Sequence, residues 1–492
     1  MSGVEFVLGA GAAVLLLAVL AVRVSTRLGL PSLLLYLAIG LLIGESGLGF
    51  EFSNTQLTAT LGVAGLVLIL AEGGLTTRWS VVRPALGPGI ALATAAVAVS
   101  IAVTGSALHL LLGLDWRTAM LWGAVLSSTD AAAVFSVLRA LKVSPRLAGA
   151  LELESGINDA PVYIVVVLLA AGDPLHWWTS LLVGYQLLIG ALVGAALGFG
   201  GAWILRRAAL PATGLYPLAT IAVCVLAFAV AQGVHASGFL ATYLAGVVLG
   251  NSHLPHRGDT HSFAEGLGWL AQIGLFVLLG LYASPARLPG VLIPALIAGV
   301  VLVVLARPLS VLLATSPFGV PWREQTFLSW AGLRGAVPIV LALIALTMDF
   351  PGAQQLVDVV FVLVVLLTVV QGVTLPAVLR WLGLSRPEQG REIAVDYAPL
   401  DEMGADLLQV RVPSPSQLHG VYLSELRLPT GAMVSLVVRN GQGFTPQPTT
   451  RLQEGDQLLV LTTAGKRNQA EQRIRAVHRA GRLARWRGET GA

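Results

Sequence analysis

The sequence predicts an all-α membrane protein of about thirteen spans followed by a small cytoplasmic α+β module. Three observations carry that expectation. The 492 residues are 55% hydrophobic and 11% charged, with a mean hydropathy of +0.80, whereas soluble domains carry about 25% charged residues. Apolar runs long enough to cross a bilayer recur with turn-forming breaks between them. Hydrophobicity then stops near Leu384, and the composition becomes that of an ordinary folded domain.

In order, the candidate spans lie near 5–22, 29–44, 57–76, 84–108, 118–138, 147–171, 179–204, 213–233, 236–251, 264–284, 288–314, 325–347 and 354–379. The loops between them alternate in charge. One set carries Arg23 and Arg27, Arg78 and Arg83, Arg139, Lys142 and Arg146, Arg206 and Arg207, Arg257, and Arg307 with Arg323. The other holds Glu45 and Glu51, Asp115 with Arg117, Asp173, Arg287 and Asp349. Basic residues gather on the cytoplasmic side of a membrane, so the amino terminus is expected outside and the carboxyl terminus inside, in a bacterial inner membrane. No cleavable leader is expected, because Met1 to Glu5 lacks a basic region.

Residues 1–384 thus form the membrane domain and 385–395 a polar linker. In 396–465, Leu407 to Val412, Met433 to Val438 and Gln457 to Thr462 read as short strands, with Gly441 and Gly443 suiting a hairpin turn. Residues 466–492 read as a basic helical tail. The net charge of +4 comes from cytoplasmic arginines and this tail, and no nucleic-acid partner is expected. The single cysteine, Cys224, lies in an apolar span as a packing residue. Gly9-Ala10-Gly11 has no βαβ context and is not a nucleotide fingerprint. No cofactor is expected.

The fifth and twelfth spans are interrupted, at Ser127-Ser128-Thr129-Asp130 and at Gly332-Leu333-Arg334-Gly335-Ala336-Val337-Pro338. Paired interruptions in two halves of a membrane protein are the signature of inverted repeats whose broken helices cross at the midplane. Within the sixth span stands Glu154-Ser155-Gly156-Ile157-Asn158-Asp159. A charge at the centre of a span costs about 2.5–3.5 kcal/mol even on insertion scales, so carboxylates persist there where they line a pathway.

Ser155 and Asp159 are four residues apart, as are Glu154 and Asn158, so a continuous helix sets each pair on one face, and the two faces adjoin. Oxygen ligands suit a hard cation. One carboxylate that holds either a proton or a metal cation, at a site open to each side in turn, gives antiport, and Asp159 is the candidate for that switch. A polar network that only joins helices is the structural alternative. Thr129 is placed to add an oxygen to the cation, and Asp130 either offsets the positive end of a half-helix or serves as a local cap. Glu72 stands at the mouth of the cavity, reaches the ion, or is a plain interfacial acid. Arg334 needs a carboxylate partner, Glu154 or Glu72, and an organising pair with Glu154 is favoured over substrate contact. Arg307 reads as a cytoplasmic boundary charge. His235, His253, His256 and His261, in loops or near span ends, are pH sensors or surface residues.

These three motifs, in this order, resemble the monovalent cation/proton antiporter-1 family of the NhaP and NHE type over roughly the first 385 residues. The resemblance implies a thirteen-span fold in which a six-helix core moves against a dimerisation domain, and hence a homodimer. It implies that Asp159 binds cation or proton, that Ser155 and Thr129 assist, and that Glu154 pairs with Arg334. Asn158 stands where electrogenic relatives carry a second Asp, which implies electroneutral exchange. The soluble region from about Asp396 to Thr463 is similar to the TrkA-C type of carboxyl-terminal regulatory subdomain, on Gly404-Ala405-Asp406-Leu407 and Leu452-Gln453-Glu454-Gly455-Asp456-Gln457-Leu458. That combination resembles potassium/proton antiporters. It lacks a dinucleotide-binding half, so NAD control is not expected and a small cytosolic ligand remains open.

The expected activity is therefore export of K+, or of Na+, against entering H+. A sodium/proton antiporter that uses K+ poorly is the nearest alternative. An intramembrane aspartyl hydrolase using Asp130 and Asp159, or a ligand-gated K+ channel, would be of another class; the chain has no protease context and no repeated carbonyl filter loop.

Overall fold

In the computed structural model, the described residues are 3–28, 31–45, 47–49, 54–130, 143–172, 174, 176, 178–384, 395–400, 405–481 and 483–484. The chain divides into two units, Met1–Leu254 with Thr260–Ser385, and Pro255–Asp259 with Arg386–Ala492.

The larger unit is helical. Among the described residues, eight helices are long and apolar enough to cross a membrane. They are Thr55–Thr76, Trp79–Leu112, Pro145–Ala170, Thr179–Arg207, Leu215–Gly233, Arg257–Tyr282, Leu288–Phe318 and Ala353–Trp381. Shorter apolar helical stretches, Leu8–Arg23, Ser32–Ile43, Gly238–Gly250 and Ala336–Thr347, stand beside them. The fifth candidate span begins as the helix Trp116–Ser127 and continues into 131–142, outside the described residues, with Arg139 and Lys142. Glu51 and Asp173, and most of the 385–395 linker, also lie outside them.

Helix starts follow local chemistry, because the first amides of a helix have no internal partner and a side-chain oxygen supplies one. Asn54 accepts from the Leu57 amide at 2.9 Å, Asp115 from Thr118 at 3.0 Å, and Ser144 from Leu147 at 3.3 Å. Two long helices contain a wide π-turn, Leu92–Ala96 and Val301–Ala306. Such turns rotate the side chains that follow them and are frequent at functional sites. The second sits immediately before Arg307.

The helix Ala336–Thr347 is deeply buried, with Ala336 through Leu343 all buried. It packs between Thr55–Thr76, Pro145–Ala170 and Ala353–Trp381. A half-helix this short is stable at membrane depth only when wrapped by protein, since its ends expose backbone groups that lipid cannot satisfy.

The smaller unit holds a five-stranded antiparallel sheet, β1 (Val395–Leu400), β2 (Ala405–Arg411), β3 (Ala432–Arg439), β4 (Gln442–Phe444) and β5 (Gln457–Thr463), in the order β1-β2-β5-β3-β4. Asn440 and Gly441, both at positive φ (52° and 81°), close the β3–β4 hairpin as twisted two-residue turns require, and Gly443 lies in β4 opposite Val438. Leu408, Val410, Leu458 and Val460 face one core. The segment read as a basic tail contains the helix Arg467–Ala480, which packs Ala470, Ile474 and Val477 into that core. Arg473 is buried with them and donates to the Leu426 carbonyl at 2.9 Å, so 467–480 belongs to the module rather than trailing from it. The last residues, 485–492, are outside the described set.

Candidate functional site

The helix Trp116–Ser127 ends where Ser128 turns extended (φ −64°, ψ 140°). On the other side, Trp322–Trp330 ends and Ala336–Thr347 begins after five non-helical residues. The two interruptions cross, and the Asp130 amide donates to the Leu333 carbonyl at 2.9 Å. Each break frees backbone groups that must find partners in a buried setting. Arg334 supplies them on one side: its Nη1 donates to the Ser127 carbonyl at 2.8 Å and to the Ser128 carbonyl. A cation at this carboxyl end of a helix also opposes the negative end of its dipole. Thr368 holds Arg334 in turn, donating to its carbonyl at 3.1 Å.

Two glycines make the crossing possible. A Cβ at 335 would fall 1.6 Å from Asp130 Oδ2, and one at 332 would fall 2.6 Å from Arg307 Nε. Glycine at 335 therefore lets the Asp130 carboxylate lie against the amino-terminal end of Ala336–Thr347, where the dipole favours negative charge.

The helix Pro145–Ala170 brings the acidic motif to this crossing. Its backbone continues through Asn158, whose amide donates to Glu154 at 2.9 Å, so the residues spaced by four share faces. On one face, Ser128 donates to Asp159 Oδ1 at 2.7 Å. On the other, Asn158 Nδ2 donates to Thr129 Oγ1 at 2.5 Å, and the Thr129 hydroxyl donates to Glu154 Oε1 at 3.4 Å. Asn158 is fully buried, and its Oδ1 has no hydrogen-bond partner among the described residues. An unpaired buried oxygen costs about 1–3 kcal/mol and adds to the oxygen-rich surroundings of Asp159.

Glu154 is paired, but with Arg307 rather than Arg334. Arg307 Nη1 lies 2.5 Å from Oε1 and Nη2 donates to Oε2 at 2.9 Å, and Nη2 also donates to the Leu328 carbonyl at 3.2 Å. Arg334 sits within electrostatic reach of both groups but directs its Nη1 to the helix-end carbonyls of Ser127 and Ser128. The expectation for Arg307 is corrected with it. Arg307 is 5% exposed and lies inside the helix Leu288–Phe318, not at its boundary. The signal was present in the sequence as an arginine within an apolar run, which by itself demands a buried partner. Ser128, in the same polar break as Thr129, is a partner of Asp159 that the sequence reading does not single out.

A cavity of about 340 Å³ runs beside Asp159 and is lined also by Glu72, Asp130, Glu152, Ser155, Tyr243, His261 and Glu265. Glu265 is exposed, so the cavity reaches the surface there. Of the residues singled out from sequence, Asp159, Ser155, Asp130 and Glu72 thus share one cavity, Thr129, Asn158 and Glu154 form the adjoining network, and Arg334 braces the break. His261 alone of the four histidines lines this cavity.

Residues 12–381 match the sodium/hydrogen exchanger transmembrane family, and residues 407–475 match the TrkA-C domain. The chain is 37% identical over 91% of its length to the K(+)/H(+) antiporter NhaP of Alkalimonas amylolytica, covering 79% of that protein. It is 35% identical over 92% of its length to the K(+)/H(+) antiporter NhaP2 of Shewanella oneidensis, covering 80% of it. Similarity extends at 28% identity over 86% of the chain to the Na(+)/H(+) antiporter ApNhaP of Aphanothece halophytica, covering 85% of that relative. In fold, the chain matches the sodium proton antiporter MjNhaP1 of Methanocaldococcus jannaschii with a TM-score of 0.67 at 22% identity, covering 77% of this chain and 98% of that one.

Proposed function

The chain belongs to the sodium/hydrogen exchanger family, and from that membership we infer that it is a secondary antiporter exchanging a monovalent cation, K+ in the first place, for H+. The observation that carries the reading is the position of Asp159: a carboxylate buried in a membrane unit, at the crossing of two interrupted helices, on the wall of a cavity that reaches the surface.

Asp159 binds either a proton or the cation, never both, because either ligand neutralises the charge that attracts the other. Ser155, one turn away, and Thr129 assist the cation, and Ser128 steadies the Asp159 carboxylate by its hydrogen bond. Asp130 and Arg334 neutralise the two helix ends, so that the break persists in a low-dielectric setting. Glu154 and Arg307 tie the acidic helix to Leu288–Phe318 without adding net charge. With Asn158 neutral, one carboxylate exchanges one charge for one, and transport is electroneutral.

The basic loops, those of Arg78 and Arg146 among them, support an orientation with the amino terminus outside and the carboxyl terminus in the cytoplasm of a bacterial cell. The protein works as a homodimer in the inner membrane, and the TrkA-C module binds a small cytosolic ligand that sets the rate. Potassium is preferred because the relatives at 35–37% identity are named for it. A sodium preference is the second reading, favoured by the name of the 28% identical relative.

The test is proton movement in proteoliposomes, titrated separately with potassium, sodium and lithium, for wild-type protein and Asp159→Asn. Wild-type exchange with potassium effective at the lowest concentration, and none in the variant, is the expected result. Cation-driven proton movement that survives in Asp159→Asn would sink the central role of that residue.

A further inference from the structure

Glu152 belongs to none of the roles above, yet it is a carboxylate in a span and on the wall of the Asp159 cavity. It precedes Asp159 by seven residues on the same helix, two turns and about 10 Å along the axis, toward the end that carries Arg146. Its carboxylate neighbours Thr77, whose hydroxyl donates to the Gly73 carbonyl at 2.7 Å, and it feels Arg78. The Tyr243 hydroxyl lies 3.4 Å from Thr77 Oγ1 and within electrostatic reach of Glu152.

The surface between the two carboxylates is shaped for passage. Gly156 separates them, and a Cβ there would fall 2.3 Å from the Tyr243 ring, so the glycine lets the ring approach the helix closely. Glu72, His261 and the exposed Glu265 line the same cavity.

We propose that Glu152, with the Thr77 and Tyr243 hydroxyls, is an access site that takes up a partly hydrated alkali cation near the cavity mouth before it reaches Asp159. Three oxygens of different residues converge there, which is too few to strip a cation of its water and enough to hold it. A fixed negative charge in a narrow, low-dielectric passage raises the local cation concentration by attraction alone. The deeper carboxylate then meets a concentrated, oriented ion. The proposal rests on Asp159 as the exchange site, and Glu152 acts upstream of it.

The test uses the whole protein in liposomes and measures initial rates of potassium-driven proton movement for wild type, Glu152→Gln, Glu152→Asp, Thr77→Val and Asp159→Asn. In Glu152→Gln the apparent KM for potassium is expected to rise about tenfold at low ionic strength, by more than the maximal rate falls. That rise should shrink in about 0.5 M choline chloride, where screening shortens the reach of the charge. Glu152→Asp should keep most of the wild-type affinity, and Thr77→Val should show a smaller rise. A wild-type KM in Glu152→Gln, a fall in maximal rate alone, or a KM shift indifferent to salt would overturn the proposal. Should Glu152→Gln not fold, Thr77→Val and Glu152→Asp decide it by the same KM criterion. Exchange persisting in Asp159→Asn would instead remove the reading on which it rests.

Discussion

Arg307 grips Glu154 with both terminal nitrogens, at 2.5 and 2.9 Å, and both side chains are almost wholly buried. Removing one member of such a pair strands a charge and costs about 3–5 kcal/mol, whereas replacing both with apolar groups of similar size is far cheaper. Glu154→Leu should therefore lower the melting temperature of the purified protein steeply, and Glu154→Leu with Arg307→Met should recover part of the loss. Equal melting of the single and double variants would show that the pair is not the energetic link between its helices.

Gly335→Ala isolates the crossing itself. The added methyl would fall 1.6 Å from Asp130 Oδ2, so the carboxylate must leave the start of Ala336–Thr347. Exchange is expected to fall by about tenfold or more, the equivalent of 1.4 kcal/mol, while the protein still elutes as a single species. A wild-type exchange rate in this variant would refute the close packing of the two breaks.

Ser128→Ala removes the hydrogen bond to Asp159 Oδ1. Bonds to a charged group contribute about 1.5–3 kcal/mol, so the catalytic efficiency of exchange should fall by about tenfold or more. Ser127→Ala serves as the comparison, because the Ser127 hydroxyl donates instead to Ser100 and to the Gly123 carbonyl. The larger loss is expected at Ser128, and the reverse order would reassign the carboxylate's partner.

An imposed membrane voltage should leave initial exchange rates unchanged at fixed ion gradients. The Asn158 side chain beside Asp159 is neutral, and its amide is committed to Thr129 Oγ1. Rates that climb with voltage in liposomes clamped by an ionophore would require a second mobile charge.

At the opposite kind of position, in a loop, Asp115 caps the helix Trp116–Ser127. Hydrogen bonds from the Thr118 hydroxyl and amide hold its carboxyl below the usual range. A carboxyl depressed in the folded state stabilises fully above its unfolded value of about 3.9 and loses that contribution as pH falls through the lower folded value. Asp115→Ala should cost about 1 kcal/mol near neutral pH, with the difference from wild type closing in thermal melts as the pH falls through the lowered folded value. A gap that stays constant into strong acid would show that the cap does not act through its charge.

Composition and spacing alone determined the class of this protein. Apolar runs of membrane length fix the spans because lipid leaves backbone groups no other partner than their own helix, and a carboxylate in such a run marks a pathway because its burial is so costly. The interrupted motifs around Ser128 and Gly335 were legible for the same reason, as were the strands β2, β3 and β5, whose apolar runs mark them, whereas β1 and the short β4 were not. The sequence did not tell how the charged side chains pair. Arg307 and Arg334 are both arginines near the same carboxylate, and which one reaches Glu154 depends on the π-turn before Arg307, on the room that Gly332 leaves, and on the carbonyls of Ser127 and Ser128 that claim Arg334. Nor did it show that Glu152 and Tyr243, from two helices, and Thr77, at the end of a third, face one passage. Periodicity records which side of its own helix a residue occupies, whereas partners between helices are set by packing in three dimensions, and only the folded arrangement decides them.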